Sequence, residues 1–249
     1  MSRRGSTYGE VTMSENIYDD YLETSTVGTE FSQWKVKEFE VNYRKFFPED
    51  KTANVLDIGI GNGEMLYCMK NWGYTNYEGI DISQSTIKAC QARDLNCQLV
   101  KDTNKFLSQN PNKYAVISLI HVIEHISKED ILILIANCRK ALKGNGVLII
   151  ETPNMASYDN TFMRYNDFTH VTGYTSASLA QMLNICGFKK MEIFGTNIIF
   201  LPTISNKILK VLNKIHSIIR RIERKISGLQ SPTVMELFLS AVTYNESEK

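Results

Sequence analysis

No stretch of this 249-residue chain is long and apolar enough to span a bilayer, so an integral membrane protein is not expected. The opening residues, Met1-Ser2-Arg3-Arg4-Gly5, run into polar sequence without the apolar run that a secretory signal needs. A formal net charge of +1 supplies no chain-wide field for a nucleic-acid backbone. The five cysteines (Cys68, Cys90, Cys97, Cys138 and Cys186) are odd in number and scattered, with no metal-site spacing. That pattern argues against a disulfide framework and for reduced thiols. No internal repeat is present. What remains is a cytoplasmic globular protein of one large domain, or one domain with an appendage. Its hydrophobic fraction of 43% allows a substantial core.

The dinucleotide fingerprint G-x-G-x-x-G is also missing. In its place stands Asp57-Ile58-Gly59-Ile60-Gly61-Asn62-Gly63, between the short apolar strand Asn54-Val55-Leu56 and the helical run from Glu64. A strand that turns through three glycines into a helix brings bare backbone close to a ligand, and the helix start adds unpaired N–H donors. The third glycine comes one residue early for a pyrophosphate loop. An acid at position 57 repels a phosphate and welcomes a cation.

From residue 54 onward strands and helices alternate. Strands are expected near 54–58, 77–81, 97–100, 114–119 and 146–151, with two more near 189–194 and 235–244. Ser83 and Ser127 read as helix caps, the latter in the capping-box-like run Ser127-Lys128-Glu129-Asp130. Gly144 and Gly187 read as helix ends, and Ser176 as a helix start. This rhythm implies a parallel sheet covered on both faces. Residues 1–47 suggest a helical cover over a domain formed by 48–249. That domain carries a basic helical insertion at about 196–232. There Ile204, Ile208, Val211, Leu212, Ile215, Ile219, Ile222 and Ile226 recur at helical spacing. The other face carries seven Lys and Arg residues against Glu223 alone. Such a helix either packs on its own domain with a solvated basic face or meets an anionic membrane or a partner.

The D-x-G-x-G-x-G loop resembles motif I of the class I S-adenosylmethionine methyltransferases, and the resemblance covers roughly residues 50–195. It implies an α/β, Rossmann-like seven-stranded sheet, mostly parallel with an antiparallel last strand and helices on both faces. The implied cofactor is S-adenosyl-L-methionine. Asp57, Gly59, Gly61 and Gly63 would form its cradle, and Asp81, at the end of the second strand, would accept hydrogen bonds from the ribose hydroxyls. Ile82 and Leu119 join this expected cofactor set. Asp102 corresponds to a position that often faces the adenine amino group.

His121-Val122-Ile123-Glu124-His125-Ile126 resembles the "hvleHi" segment of small-molecule and sugar methyltransferases. The family's Asp near the start of the preceding strand is Ala115 here. On a helix, His121 and His125 would share a face. The H-x-x-E-H order also matches an inverted zinc-hydrolase motif, but the surrounding pattern outweighs it, and no metal is expected. The stretch from Asn166 to Thr175 resembles the "D-x-T-H … yt" segment of methyltransferases from polysaccharide and natural-product pathways. His170 is the expected general base with Asp167 as its orienter, and His121 and His125 are the other catalytic candidates. Arg164 and Tyr165 are placed to hold a substrate phosphate or sugar ring.

The resemblance implies methyl transfer to a sugar hydroxyl, the sugar carried on a nucleotide for capsule or lipopolysaccharide synthesis. The alternatives are a membrane quinone or other small phenol as acceptor, or a SAM-binding partner protein without chemistry. Expected partners are therefore a small-molecule or sugar acceptor and, through the basic helix, a membrane or protein surface. Self-association is compatible with the sequence; nucleic acid is not expected.

Overall fold

A computed structural model describes residues 30–157, 160–196, 204–228 and 234–246. Tyr18 and Tyr21, which by position suggest a flap over the cofactor, lie outside the described residues. Seven strands form one sheet. They are β1 (Val55–Ile58), β2 (Tyr77–Asp81), β3 (Cys97–Leu99), β4 (Tyr114–Ile120), β5 (Leu142–Pro153), β6 (Lys190–Gly195) and β7 (Phe238–Tyr244). Their spatial order is β3-β2-β1-β4-β5-β7-β6. β1 to β5 pair in parallel, and β7 runs antiparallel to both of its neighbours. The expected fold class is thus the observed one.

Alternation along the strands builds a core on each face. Leu56, Ile58, Ile117, Leu119, Leu148 and Ile150 point to one side, beneath the helices α5 (Lys128–Ala141) and α7 (Ser176–Ile185). Val55, Val116, Val147, Ile149 and Val242 point to the other, beneath α1 (Gln33–Tyr43), α2 (Glu64–Asn71) and α3 (Gln84–Gln91). Apolar side chains on both faces explain why the strands read as nearly continuous hydrophobic runs. The shorter helices α4 (Thr103–Ser108) and α6 (Asn160–Tyr165) follow β3 and β5.

Helix starts follow local chemistry. Ser83 accepts from the Thr86 amide, Ser127 from the Asp130 amide, and Asp102 from the Lys105 amide, each satisfying a donor that the first turn leaves open. One expected boundary moves. α7 starts at Ser176 as expected, capped by Thr175, which forms a reciprocal capping box with Ser178. Gly144 does not end α5: the helix stops at Ala141 and β5 begins at Leu142. Leu142 pairs with Tyr114, the register then slips, and Val147 pairs with Val116. At Gly146 a β-carbon would lie 2.9 Å from the Lys143 carbonyl and 3.0 Å from that of Tyr114, so the glycine serves this bulge. Gly187, at φ +90°, closes α7 as expected.

Of the N-terminal segment, residues from 30 onward are described. Phe39 and Tyr43 of α1 are buried against the sheet, and Phe47, after a short 3-10 turn, packs edge-on against Trp72. The insertion holds one long helix, α8 (Ile204–Ile226), between β6 and β7. Ile208, Val211, Leu212 and Ile222 on it are each more than half exposed.

Candidate active site

A cavity of about 710 Å³ opens at the C-terminal ends of the parallel strands, where open α/β sheets bind ligands. Its floor is the loop after β1. Gly59, Gly61 and Gly63 all have positive φ, at +73°, +49° and +87°. The Gly59 amide donates to Ile80 at 2.9 Å and the Gly63 amide to Ile60 at 2.8 Å, which ties the loop to β2 and closes it onto α2. A β-carbon on Gly59 would sit 2.5 Å from a Val122 methyl, so this position has no room for a side chain. Gly59 and Gly61 line the cavity. Gly63 sits behind them, where a β-carbon would meet Leu95 at 2.6 Å; it provides close packing and the left-handed start of α2. Leu119 is fully buried within the sheet and does not line the cavity.

Two carboxyl groups organise the cofactor end. Asp57 is 2% exposed and accepts a 2.6 Å hydrogen bond from Ser118, its register partner on β4. Burial pushes its pKa up to about 8, against the Ser118 bond, and the charges of Asp81 and Glu64 push the same way. Asp81 accepts from the Ile60 amide at 3.0 Å and the Ser83 amide at 2.8 Å, so the glycine loop and the start of α3 fix its orientation. Burial raises its pKa in spite of those bonds. Ile82 lines the wall beside it. Asp102 both caps α4 and borders the cavity.

The far end is built by the loop after β4 and the segment after α6. His121 follows β4 directly at φ +55°, in the left-handed region, which turns the chain sharply. His121 and His125 therefore do not share a helix face; the latter ends a single 3-10 turn, Ile123–His125. His121 lies between two buried acids, with Nε2 3.0 Å from Glu151 and Nδ1 3.3 Å from Glu124. Burial alone would depress the imidazole pKa, but the two carboxylates outweigh it and hold it up to about 9. Glu151 continues the network behind the wall, accepting from Tyr43 and from Thr196 at 2.9 Å, with Ser240 bridging Tyr43 and Thr196.

His125 and His170 meet edge-on, with ring centroids 4.8 Å apart. The expected Asp167–His170 pair is not formed. Asp167 accepts from the Thr169 amide at 2.9 Å and from its hydroxyl at 2.6 Å, and Thr169 Oγ1 is 2.8 Å from His125 Nδ1. The acid thus reaches His125 through Thr169, because the loop closes on Asp167 as a tight turn. His170 Nδ1 instead meets the Met163 carbonyl at 2.8 Å. Burial, with the nearby His170 adding to it, lowers the pKa of His125 against the pull of Glu124 and Asp167. Arg164 does not point into an acceptor site; its guanidinium donates to the carbonyls of His170 and Val171 and braces this loop. Tyr165 is exposed against that guanidinium.

Glu64, Glu124, Glu151 and Thr169 belong to the site and were not among the residues expected from sequence. Glu151 carried the same signal as Asp81, an acid ending an apolar strand. Glu64 carried only its place in the first turn of α2, where its carboxylate accepts from the Ser32 amide at 2.9 Å.

A glycine cradle, a carboxylate at the end of β2 and a cavity across the strand ends fit S-adenosylmethionine. Acids stand there to face a sulfonium and an ammonium, and Gly59 and Gly61 bring bare backbone to the cavity wall. Fold and site together define a Rossmann-like methyltransferase. A family model described as a methyltransferase domain matches residues 35–193, and the chain belongs to that family. A SAM-dependent methyltransferase from Archaeoglobus fulgidus is similar in structure, with a TM-score of 0.63 and 22% identity over 92% of this chain and 98% of its own. Phosphoethanolamine N-methyltransferase 2 from Haemonchus contortus, solved with S-adenosyl-L-methionine, gives a TM-score of 0.56 at 13% identity. That match covers 93% of this chain and 56% of the other. The same enzyme solved with phosphomonomethylethanolamine and S-adenosylhomocysteine gives 0.56 at 14% identity, over 93% and 57%. A search of curated proteins gives no match. Among the described residues no helix is long and apolar enough to cross a membrane.

Proposed function

We propose that this methyltransferase uses S-adenosyl-L-methionine to methylate a hydroxyl group of a sugar, carried on a nucleotide for surface polysaccharide synthesis. The observation that carries the reading is the continuity of one cavity. It runs from the Gly59–Gly61 loop and Asp81 at one end to the His125–His170 pair at the other. The cofactor lies along the glycine loop with its ribose hydroxyls toward Asp81, and its methyl is aimed at an acceptor oxygen held beside the histidines. Most of the rate then comes from placing oxygen and methyl in line. A neutral hydroxyl is a poor nucleophile, so its proton must leave. His125, kept neutral by burial and oriented through Thr169 by Asp167, and His170, oriented by the Met163 carbonyl, are the groups at hand. His121 is held protonated between Glu124 and Glu151 and supports the wall instead. The test is a panel of nucleotide sugars, simple sugars and phenols assayed for S-adenosylhomocysteine release. Turnover with a nucleotide sugar, lost in His125→Asn and His170→Asn, supports the reading. Turnover with phenols alone overturns the sugar assignment, and S-adenosylhomocysteine binding without turnover on any acceptor supports a binding module.

One observation favours the runner-up, a lipid-like phenol such as a quinone. α8 exposes Ile208, Val211, Leu212, Ile215, Ile219 and Ile222 along a helix that also carries Lys214, Arg221 and Lys225. An apolar stripe flanked by cations is complementary to an anionic lipid surface. Pelleting with vesicles containing phosphatidylglycerol, against neutral vesicles, tests this contact. Equal absence from both pellets removes it.

A further inference from the structure

The acceptor end of the cavity contains more than a pair of bases. Glu124, His125 and His170 each offer one ligand atom, and these three atoms lie within 4.8 Å of one another. Glu124 is 2% exposed, and its Oε1 makes no hydrogen bond of good geometry, although His121 Nδ1 stands 3.3 Å away. Its other oxygen accepts from Thr152 at 3.1 Å. His121 faces this acid from one side, and the two imidazoles His125 and His170 lie on the other side of the cluster.

The hydrogen bonds around the two histidines settle their tautomers. Thr169 gives its hydroxyl proton to Asp167, so His125 must donate from Nδ1 to Thr169. The Met163 carbonyl can only accept, so His170 also donates from Nδ1. Both rings therefore carry their lone pair on Nε2, with the opposite nitrogen anchored to an oxygen. That is the arrangement in which metal-binding histidines are held by their outer partners.

We propose that Glu124, His125 and His170 bind one divalent transition-metal ion, Mn²⁺, Fe²⁺, Co²⁺ or Zn²⁺, at the acceptor end of the cavity. Three donors at about 2.1 Å from an ion lie roughly 3–3.5 Å apart, so the observed spread needs a closing shift of about an ångström. Two imidazoles and one carboxylate select these ions over Mg²⁺, which favours all-oxygen sites. Three protein ligands leave coordination positions open for an acceptor oxygen. This deepens the methyl-transfer reading and rests on it. The two lone pairs then go to the ion, and a coordinated hydroxyl gives its proton to solvent more readily than a free one.

The test uses the full chain stripped with EDTA and titrated calorimetrically with MnCl₂ and with CoCl₂, following the visible Co²⁺ spectrum. The expected result is one equivalent bound, with affinity falling at least 10-fold in His170→Ala and in His125→Asn. Glu124 is buried and its variants can misfold, so S-adenosylhomocysteine binding is measured on every protein as an independent readout. Stoichiometric absence of Mn²⁺ and Co²⁺ binding up to millimolar concentration, or binding unchanged in His170→Ala, overturns the proposal. If S-adenosylhomocysteine still binds in that case, the cofactor reading stands and only the ion is lost. Metal binding without S-adenosylhomocysteine binding separates the two in the opposite sense.

Discussion

Asp57 gives the fold a pH dependence that can be worked out from its surroundings. It sits at the end of β1 with 2% exposure, and burial pushes its pKa to about 8. In the unfolded chain its pKa is that of an ordinary aspartate, about 3.9. Between those values the native state keeps a proton that the unfolded state has released. The native state therefore binds more protons, and stability falls as pH rises, by at most about 1.4 kcal/mol per pH unit. This contribution is fully present below about pH 4 and is lost as pH climbs through about 8. From pH 5.5 to 7.5 the wild-type protein should lose roughly 1–3 kcal/mol through this group. Asp57→Asn keeps the shape and can still bond to Ser118, but it has no proton to lose. Urea unfolding followed by far-UV circular dichroism, at several pH values without ligand, should give a steeper decline for wild type than for the variant. A cationic ligand group seated near Asp57 favours its ionised form. S-adenosylhomocysteine binding near pH 7 should then release a proton, detectable by calorimetry in buffers of different ionisation enthalpy. Parallel stability profiles for the two proteins would refute the assignment of a buried, proton-holding Asp57.

Other substitutions probe separate parts of the structure. Gly59→Ala combines positive φ with a β-carbon 2.5 Å from Val122; it should cost about 1–3 kcal/mol and weaken S-adenosylhomocysteine binding more than 10-fold, read by urea unfolding and calorimetry. Tyr43→Phe removes a donor to the buried Glu151 carboxylate. It should cost about 1.5–3 kcal/mol, seen as a melting temperature lower by roughly 3–12 °C. Ser127→Ala removes the cap of α5 at the protein surface. It should cost about 1 kcal/mol in urea unfolding while leaving ligand affinity unchanged.

The cofactor end was legible because it is local. Asp57, Gly59 and Gly61 fall within five residues of chain, and the backbone conformations of the two glycines are properties of glycine itself. Asp81 was legible because strand ends are read from hydrophobic pattern. At the acceptor end His121, His125, Asp167 and His170 all line the cavity, but their contacts were not legible because they join segments far apart in sequence. Asp167 lies three residues before His170, and only the turn geometry decides that it serves His125, 42 positions upstream, through Thr169 instead. The positive φ of His121 likewise broke the helical reading of His121-to-His125, since no composition signal marks a left-handed histidine. Gly144 was misplaced as a helix end because a glycine after a helix and a glycine in a bulge look alike in sequence.

The position of β7 has a consequence for how the molecule comes into being. It fills the gap between β5 and β6, so each of those strands faces an empty neighbour until Phe238–Tyr244 has left the ribosome. During synthesis, β5 shows the open amides and carbonyls of its apolar Val147–Ile150 run to any strand that passes. A nascent chain of this protein is thus most prone to mispairing after β5 and β6 have emerged and before β7 has. Its dependence on a chaperone should be greatest for that interval.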